Sequence, residues 1–176
     1  MSHMSLKKKV ISIASAGVIA LSFAGTAVPA FAATTETISS KQAAIASATK
    51  VVPANAVLTS AKTDDDKFDL EYLVPDTLQR YEIEVDRATS KVKEVEVKSS
   101  NFPGSVTVTK TAEDVKAAIL EAYPDAKNIV VTLKSDSSSG TDFKVYEAKF
   151  ETPAFTGKAE LNPATALIGE QELEYK

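Results

Sequence analysis

Between Lys67 and Asp86 the chain changes polarity at every second residue. Phe68, Leu70 and Tyr72 alternate with Lys67, Asp69 and Glu71, and Tyr81, Ile83 and Val85 alternate with Glu82, Glu84 and Asp86. Successive side chains of a β-strand point to opposite faces, so each stretch predicts a strand with one apolar and one wet face. Strands of this kind suit an antiparallel sheet that is covered on one side only, and a helix is the natural cover. Asp64-Asp65-Asp66, Pro75-Asp76-Thr77 and Asp86-Arg87-Ala88-Thr89-Ser90 supply turn chemistry between the strands.

The pattern has an echo further on. Asp86 to Val97 aligns with Asn162 to Leu173 at an offset of 76 residues, with Ala88/Ala164, Thr89/Thr165, Glu94/Glu170 and Glu96/Glu172 identical. The same offset pairs Leu70 with Tyr146 and Val74 with Phe150; upstream it falls to about 72, the difference being taken up by Ser137-Ser138-Ser139-Gly140. Each half also has a helix candidate. Thr111, with Asp114 three residues on, can cap a helix whose inner face is Val115, Ala118, Ile119 and Ala122, and Pro124 stops it. The earlier helix is expected over about Ser40 to Val52, with Ala44, Ile45, Ala48 and Val51/Val52 inward. The expected fold class is therefore α+β: two tandem repeats, each one helix packed on an antiparallel sheet of about three to four strands. The units run from 40 to 98 and from 111 to 176, with a tail at 33–39. Residues 99–110 form a linker in which Val106 and Val108 alternate and predict an extra paired segment.

The first 32 residues have a different design. Lys7, Lys8 and Lys9 precede an apolar run from Val10 to Ala24, and Ala30-Phe31-Ala32 supplies small residues around an aromatic. That is the layout of a secretory signal peptide cleaved near Ala32, with residues 1–3 carrying no structural weight; an uncleaved membrane anchor is the competing reading. Cleavage predicts a secreted or otherwise extracytoplasmic protein of the cell envelope or periplasm, free of the membrane. Removing 32 of 176 residues leaves 144, and removing three lysines leaves 17 basic against 24 acidic residues, a net charge of −7. An acidic surface disfavours phosphate backbones, so nucleic acid is not an expected partner. From residue 33 onward there is no His, Cys, Met or Trp. Imidazole and thiolate chemistry is thereby excluded, as are zinc or copper sites with nitrogen or sulfur ligands.

The string Tyr81-Glu82-Ile83-Glu84-Val85-Asp86-Arg87-Ala88-Thr89-Ser90-Lys91-Val92 resembles the ending of the PepSY domain. Units of that family pass from a strand of the form Y-x-[VI]-x-[VI]-D through a turn of the form x-x-T-G-K-[VI] into a last strand. Asn162 to Ile168 extends a weaker form of the resemblance to the second unit. Ser90 stands where the family favours Gly, and the second copy lacks both Gly and Lys at the turn. PepSY units occur in propeptides of secreted metallopeptidases and as free-standing exported or membrane-tethered proteins, and the family is proposed to restrain peptidases. The resemblance implies no catalytic residues.

Candidate sites are few. Asp64, Asp65 and Asp66 could offer carboxylates to a hard cation or a partner, but adjacent side chains on a hairpin tip point different ways, which favours a solvated turn. Phe102 and Pro103 read either as an anchor for a partner or as a staple between units. Ser40-Lys41 and Ser90-Lys91 lack anything to desolvate the lysine, and Glu82/Glu84 and Glu94/Glu96 fall on wet strand faces. Tyr72, Tyr81, Phe143, Tyr146 and Phe150 are expected in the core. No catalytic, cofactor or metal residue is expected. The functional expectation is an exported non-enzymatic protein that binds and restrains an extracytoplasmic peptidase, such as a secreted metallopeptidase. The alternative is a cell-envelope structural module, or one that binds peptide or wall polymer without inhibiting anything.

Overall fold

A computed structural model describes residues 32–136 and 142–176, and the leader reading, residues 1–32, lies outside them but for Ala32. The element order is α1 (Ala32–Ala48), β1 (Val57–Thr63), β2 (Lys67–Val74), β3 (Gln79–Asp86), β4 (Val92–Lys98), α2 (Ala112–Ala122), β5 (Lys127–Asp136), β6 (Phe143–Glu151), β7 (Phe155–Leu161) and β8 (Ile168–Tyr175). Ala32–Lys176 forms one compact unit. Among the described residues no helix is long and apolar enough to cross a membrane.

Two separate repeats of helix on sheet do not form. All eight strands join one antiparallel sheet in the order β1-β2-β3-β4-β8-β7-β6-β5, and the expected units are continuous through β4 and β8. The junction pairs Glu94 with Glu174, Val95 with Leu173, Glu96 with Glu172, Val97 with Gln171 and Lys98 with Glu170. The physical reason is the edge. A sheet ending at β4 or at β8 would leave a row of backbone amides and carbonyls unpaired, and a unit of about 60 residues buries too little surface to stand well alone. Joining the two edges pairs those groups and extends one core across the junction.

The alternation of the strands holds along the sheet. Phe68, Leu70, Tyr72 and Val74 of β2, Ile83 and Val85 of β3, Val95 and Val97 of β4, Leu173 of β8, Ala159 and Leu161 of β7, and Tyr146, Ala148 and Phe150 of β6 are buried on the helix side. Tyr81 and Phe143 are half-buried. The helices are minor partners of this sheet. α1 lies over β2, β3 and β4, with Ala44 and Ala48 buried and Ile45, Val51 and Val52 packed against the core. It starts at Ala32 and so takes in the expected tail, since nothing between Ala32 and Ala48 is Gly or Pro. It ends four residues early: Lys50 N and Val51 N close tighter turns onto the Ser47 and Ala48 carbonyls, and Pro53 keeps Val52 out of the helical region.

α2 lies on β5 and β6 and begins with the expected capping box. Thr111 Oγ1 accepts from Asp114 N at 3.2 Å, and Asp114 Oδ2 accepts from Thr111 N at 2.8 Å. Val115 and Ile119 are fully buried, but Ala122 is exposed, because the helix closes there and Tyr123 turns inward instead. The Tyr123 ring stacks on Phe150 with centroids 4.9 Å apart. Phe150 in turn crosses Gly157 of β7, where a Cβ would come within 2.6 Å of its ring. Only glycine allows an aromatic to lie over the backbone there.

The 99–110 segment is a strap rather than a strand. It makes an isolated bridge, Ser105 with Lys144, and Val106 and Val108 are exposed. Asn162 Nδ2 donates to the carbonyls of Phe102 and Gly104, at 3.0 and 2.8 Å, and Thr109 N and Lys110 N both donate to the Pro163 carbonyl. The strap is thus tied to the β7–β8 turn.

Candidate interaction surface

The face of the sheet away from the helices is charged, and the strand registers arrange its charges in rows. Glu71, Glu82, Glu96 and Glu172 are successive cross-strand partners on β2, β3, β4 and β8. Asp69, Glu84, Glu94 and Glu174 form the parallel row one step along. Neighbouring strands lie about 4.8 Å apart, so each row places like charges side by side. Lysines relieve the periphery. Lys67 Nζ meets Asp69 at 3.3 Å and hydrogen-bonds Glu84, and these two carboxylates hold its ammonium well above the usual lysine range. Lys98 Nζ meets Glu96 at 3.0 Å and Glu82 at 3.5 Å, and is likewise pushed up. Glu94 sits at the centre, where burial and then the charges of Glu84, Glu172, Glu174 and Glu96 push its carboxyl up.

The residues singled out in the sequence do not converge. Asp64, Asp65 and Asp66 form the exposed tip of the β1–β2 hairpin, where Arg87 organises the backbone: its Nη1 donates to the carbonyls of Asp64 and Asp65, and its N–H to that of Asp66. Among the described residues no group of three or more potential ligands is placed to hold a metal ion. Phe102 and Pro103 lie at the other end of the sheet, in the strap. Phe102 is 61% exposed and meets Phe143 edge-on at 5.3 Å, while Pro103 covers Gly169. Phe102 therefore both staples the strap to the start of β6 and shows a free ring face. Lys41 Nζ donates to the Ala61 carbonyl at 2.8 Å, and Ser90 sits in the β3–β4 turn.

No family model, curated protein or solved structure matches this chain.

Sequence reasoning placed Glu82, Glu84, Glu94 and Glu96 on wet faces, but it missed that Glu172 and Glu174 continue their rows. Their alternation along β8 was readable; their position beside β4 was not. It also missed the difference between the two edges. β1 is short, shifts register between Leu58 and Ser60, and has its Ala61 carbonyl engaged by Lys41. β5 is longer and, after its own register shift between Lys127 and Val130, runs in register to Asp136; both edges expose apolar side chains, Val57 and Leu58 on β1 and Val130 and Leu133 on β5. Between β5 and β8 on the open face lies a groove of about 490 Å³ bordered by Val130, Lys149, Glu151, Lys158, Glu172 and Glu174.

Proposed function

We propose that the chain is an exported, non-enzymatic binding protein that restrains an extracytoplasmic peptidase by strand addition. The observation that carries this reading is the β5 edge, which has no second strand partner among the described residues and whose seven consecutive register positions, Val130 to Asp136, are unbroken by a bulge. An extended segment of another protein can pair with such an edge through backbone hydrogen bonds alone, which gives affinity without any catalytic group. The resemblance to PepSY domains points to a peptidase as the partner. The β3–β4 turn supports that resemblance. Asp86 Oδ1 accepts from Ala88 N and Thr89 N at 3.0 and 2.8 Å, and Ser90, in the position where the family favours Gly, has φ of 55°.

The test is kinetic. Purified 33–176 at micromolar concentration is expected to slow a secreted metallopeptidase of its own source organism. No effect on any peptidase of that secretome would overturn the reading. Affinity capture that recovers wall fragments and no peptidase would move the assignment to an envelope module.

A further inference from the structure

Of the two sheet edges, β5 offers the longer stretch for a second chain to join. Its register with β6 is regular from Val130 to Asp136, whereas β1 shifts register between Leu58 and Ser60 and has its Ala61 carbonyl engaged by Lys41. The midpoint of the regular β5 run is Leu133, 43% exposed. Val131 and Leu133 stand opposite the buried Ala148 and Tyr146, so both belong to the helix side of the sheet, and Val131 already packs against the core. Val130, Val131 and Thr132 are β-branched, and β5 contains neither Gly nor Pro to break an added ladder. Lysines commonly guard exposed edges against pairing. The one lysine of this run, Lys134, is drawn back over its own sheet, with Nζ 2.5 Å from Glu147 of β6.

We propose that the chain forms a two-fold dimer in which β5 pairs antiparallel with β5 of a second copy, with Leu133 on the axis. An axis perpendicular to the sheet keeps the helices of both copies on one side and continues the antiparallel order across the interface. Centred on Leu133, it engages the whole regular run; centred on Thr132, it would engage only Val130 to Lys134. It sets Leu133 against Leu133 of the second copy and Val131 against Ser135 on the helix side, and Thr132 against Lys134 on the open face. Apolar meets apolar on the axis and no like charges face each other in these pairs, which is the self-complementarity that an isologous contact requires. The pairing satisfies backbone groups that an edge strand leaves to water, and it covers the exposed side of Leu133. It also bears on the strand addition proposed above, because one β5 edge takes either a second copy or a segment of another protein. That consequence rests on the binding reading; the dimer does not.

Sedimentation equilibrium of the purified protein is expected to show a mass that rises from monomer toward dimer, and no further, between about 1 μM and about 1 mM. Position is read by cross-linking, since the chain contains no Cys and one introduced thiol reports on one residue. Directly opposed Cα atoms of an antiparallel pair lie about 4.5–5.5 Å apart, within reach of a disulfide. Under mild oxidation Leu133→Cys is expected to form a covalent dimer about tenfold faster than Thr132→Cys, or than Val57→Cys on the β1 edge, because pairing holds its two thiols at high effective concentration. Leu133→Lys, which sets two ammonium groups face to face on the axis, is expected to stay monomeric with an unchanged far-UV spectrum. A mass that remains monomeric at about 1 mM, or that grows past a dimer as end-to-end joining of β1 to β5 would make it, would overturn the proposal. So would cross-linking through Val57→Cys or Thr132→Cys as fast as through Leu133→Cys, or a Leu133→Lys variant that dimerises like the parent. A dimer that slows no peptidase keeps this proposal and loses the peptidase reading; a monomeric protein that slows one does the reverse.

Discussion

Leu78, Ser90, Asn128 and Ala166 hold the left-handed backbone region with φ of 57°, 55°, 54° and 61°. Ser90 and Ala166 occupy the same place in the two echoing turns, four residues after Asp86 and Asn162, whose side-chain oxygens accept the backbone N–H two residues on. A Cβ in this conformation crowds the following carbonyl, at a cost of about 1–2 kcal/mol that glycine escapes. Ser90→Gly and Ala166→Gly are each expected to raise stability by about 0.5–1 kcal/mol in urea unfolding; a loss of stability would mean that these turns owe their shape to contacts of the side chains removed. The first turn also carries an acid dependence. Lys93, at 2.9 Å, and then the N–H and hydroxyl of Thr89 hold the Asp86 carboxyl well below the usual range. Its folded pKa is depressed, so its stabilising effect is complete above the unfolded value of about 3.9 and is lost as pH falls through the folded one. Asp86→Asn is expected to lower stability at neutral pH and to flatten the acid limb of the stability profile below about pH 4. An unchanged acid limb would assign that limb to other carboxylates.

At the scale of elements, α2 shows what a sequence can specify. Thr111, Asp114, Val115 and Ile119 lie within nine residues of one another, and the cap and these two buried positions form as the spacing predicts, because helix contacts are local, while Ala122 at the helix end stays exposed. The strands show the boundary of that legibility. Which face of each strand is wet follows from alternation, whereas which carboxylates become neighbours follows from register. Glu94 is the case in point. Its carboxyl is pushed up by burial first and by four neighbouring glutamates after that, two of which, Glu172 and Glu174, lie on β8. With a raised folded pKa, the native protein keeps a proton that the unfolded chain has released, so stability declines as pH rises from the ordinary glutamate range of about 4.3 through the folded value. Glu94→Gln is expected to stabilise the protein at pH 7 by roughly 0.2–1 kcal/mol, the usual cost of like charges facing across strands. Its advantage should shrink as pH falls toward 4. A variant no more stable than the parent at pH 7 would show that Lys67 and Lys98 already neutralise the rows.

For the whole molecule, the β4–β8 junction has a thermodynamic consequence. One sheet with one continuous core melts as one body, whereas two units joined by a linker would melt in two steps. Leu173, 6% exposed and paired with Val95 across the junction, is the place to probe it. Leu173→Ala is expected to cost about 2–5 kcal/mol and to lower a single coincident transition, seen alike by calorimetry and by the near-UV signal of the tyrosines. Two separated transitions would mean that the halves fold independently and that the junction is a weak contact.

What the residues determined on their own is local: strands from period-two alternation, the face of each strand that meets water, the cap and inner stripe of α2, and turns at Asp64–Asp66 and Asp86–Ser90. What only the tertiary structure decided is non-local. It set β4 beside β8, so that two expected sheets became one, fused the carboxylates of four strands into continuous rows, and left β1 and β5 as the two edges, β5 with the longer run of regular register. The physical reason is the same throughout. Alternation and capping depend on neighbours within a turn or a strand. Edge pairing, by contrast, is settled by which unpaired backbone groups and apolar faces can satisfy each other across 72 to 80 residues of chain, and no short stretch of sequence carries that information.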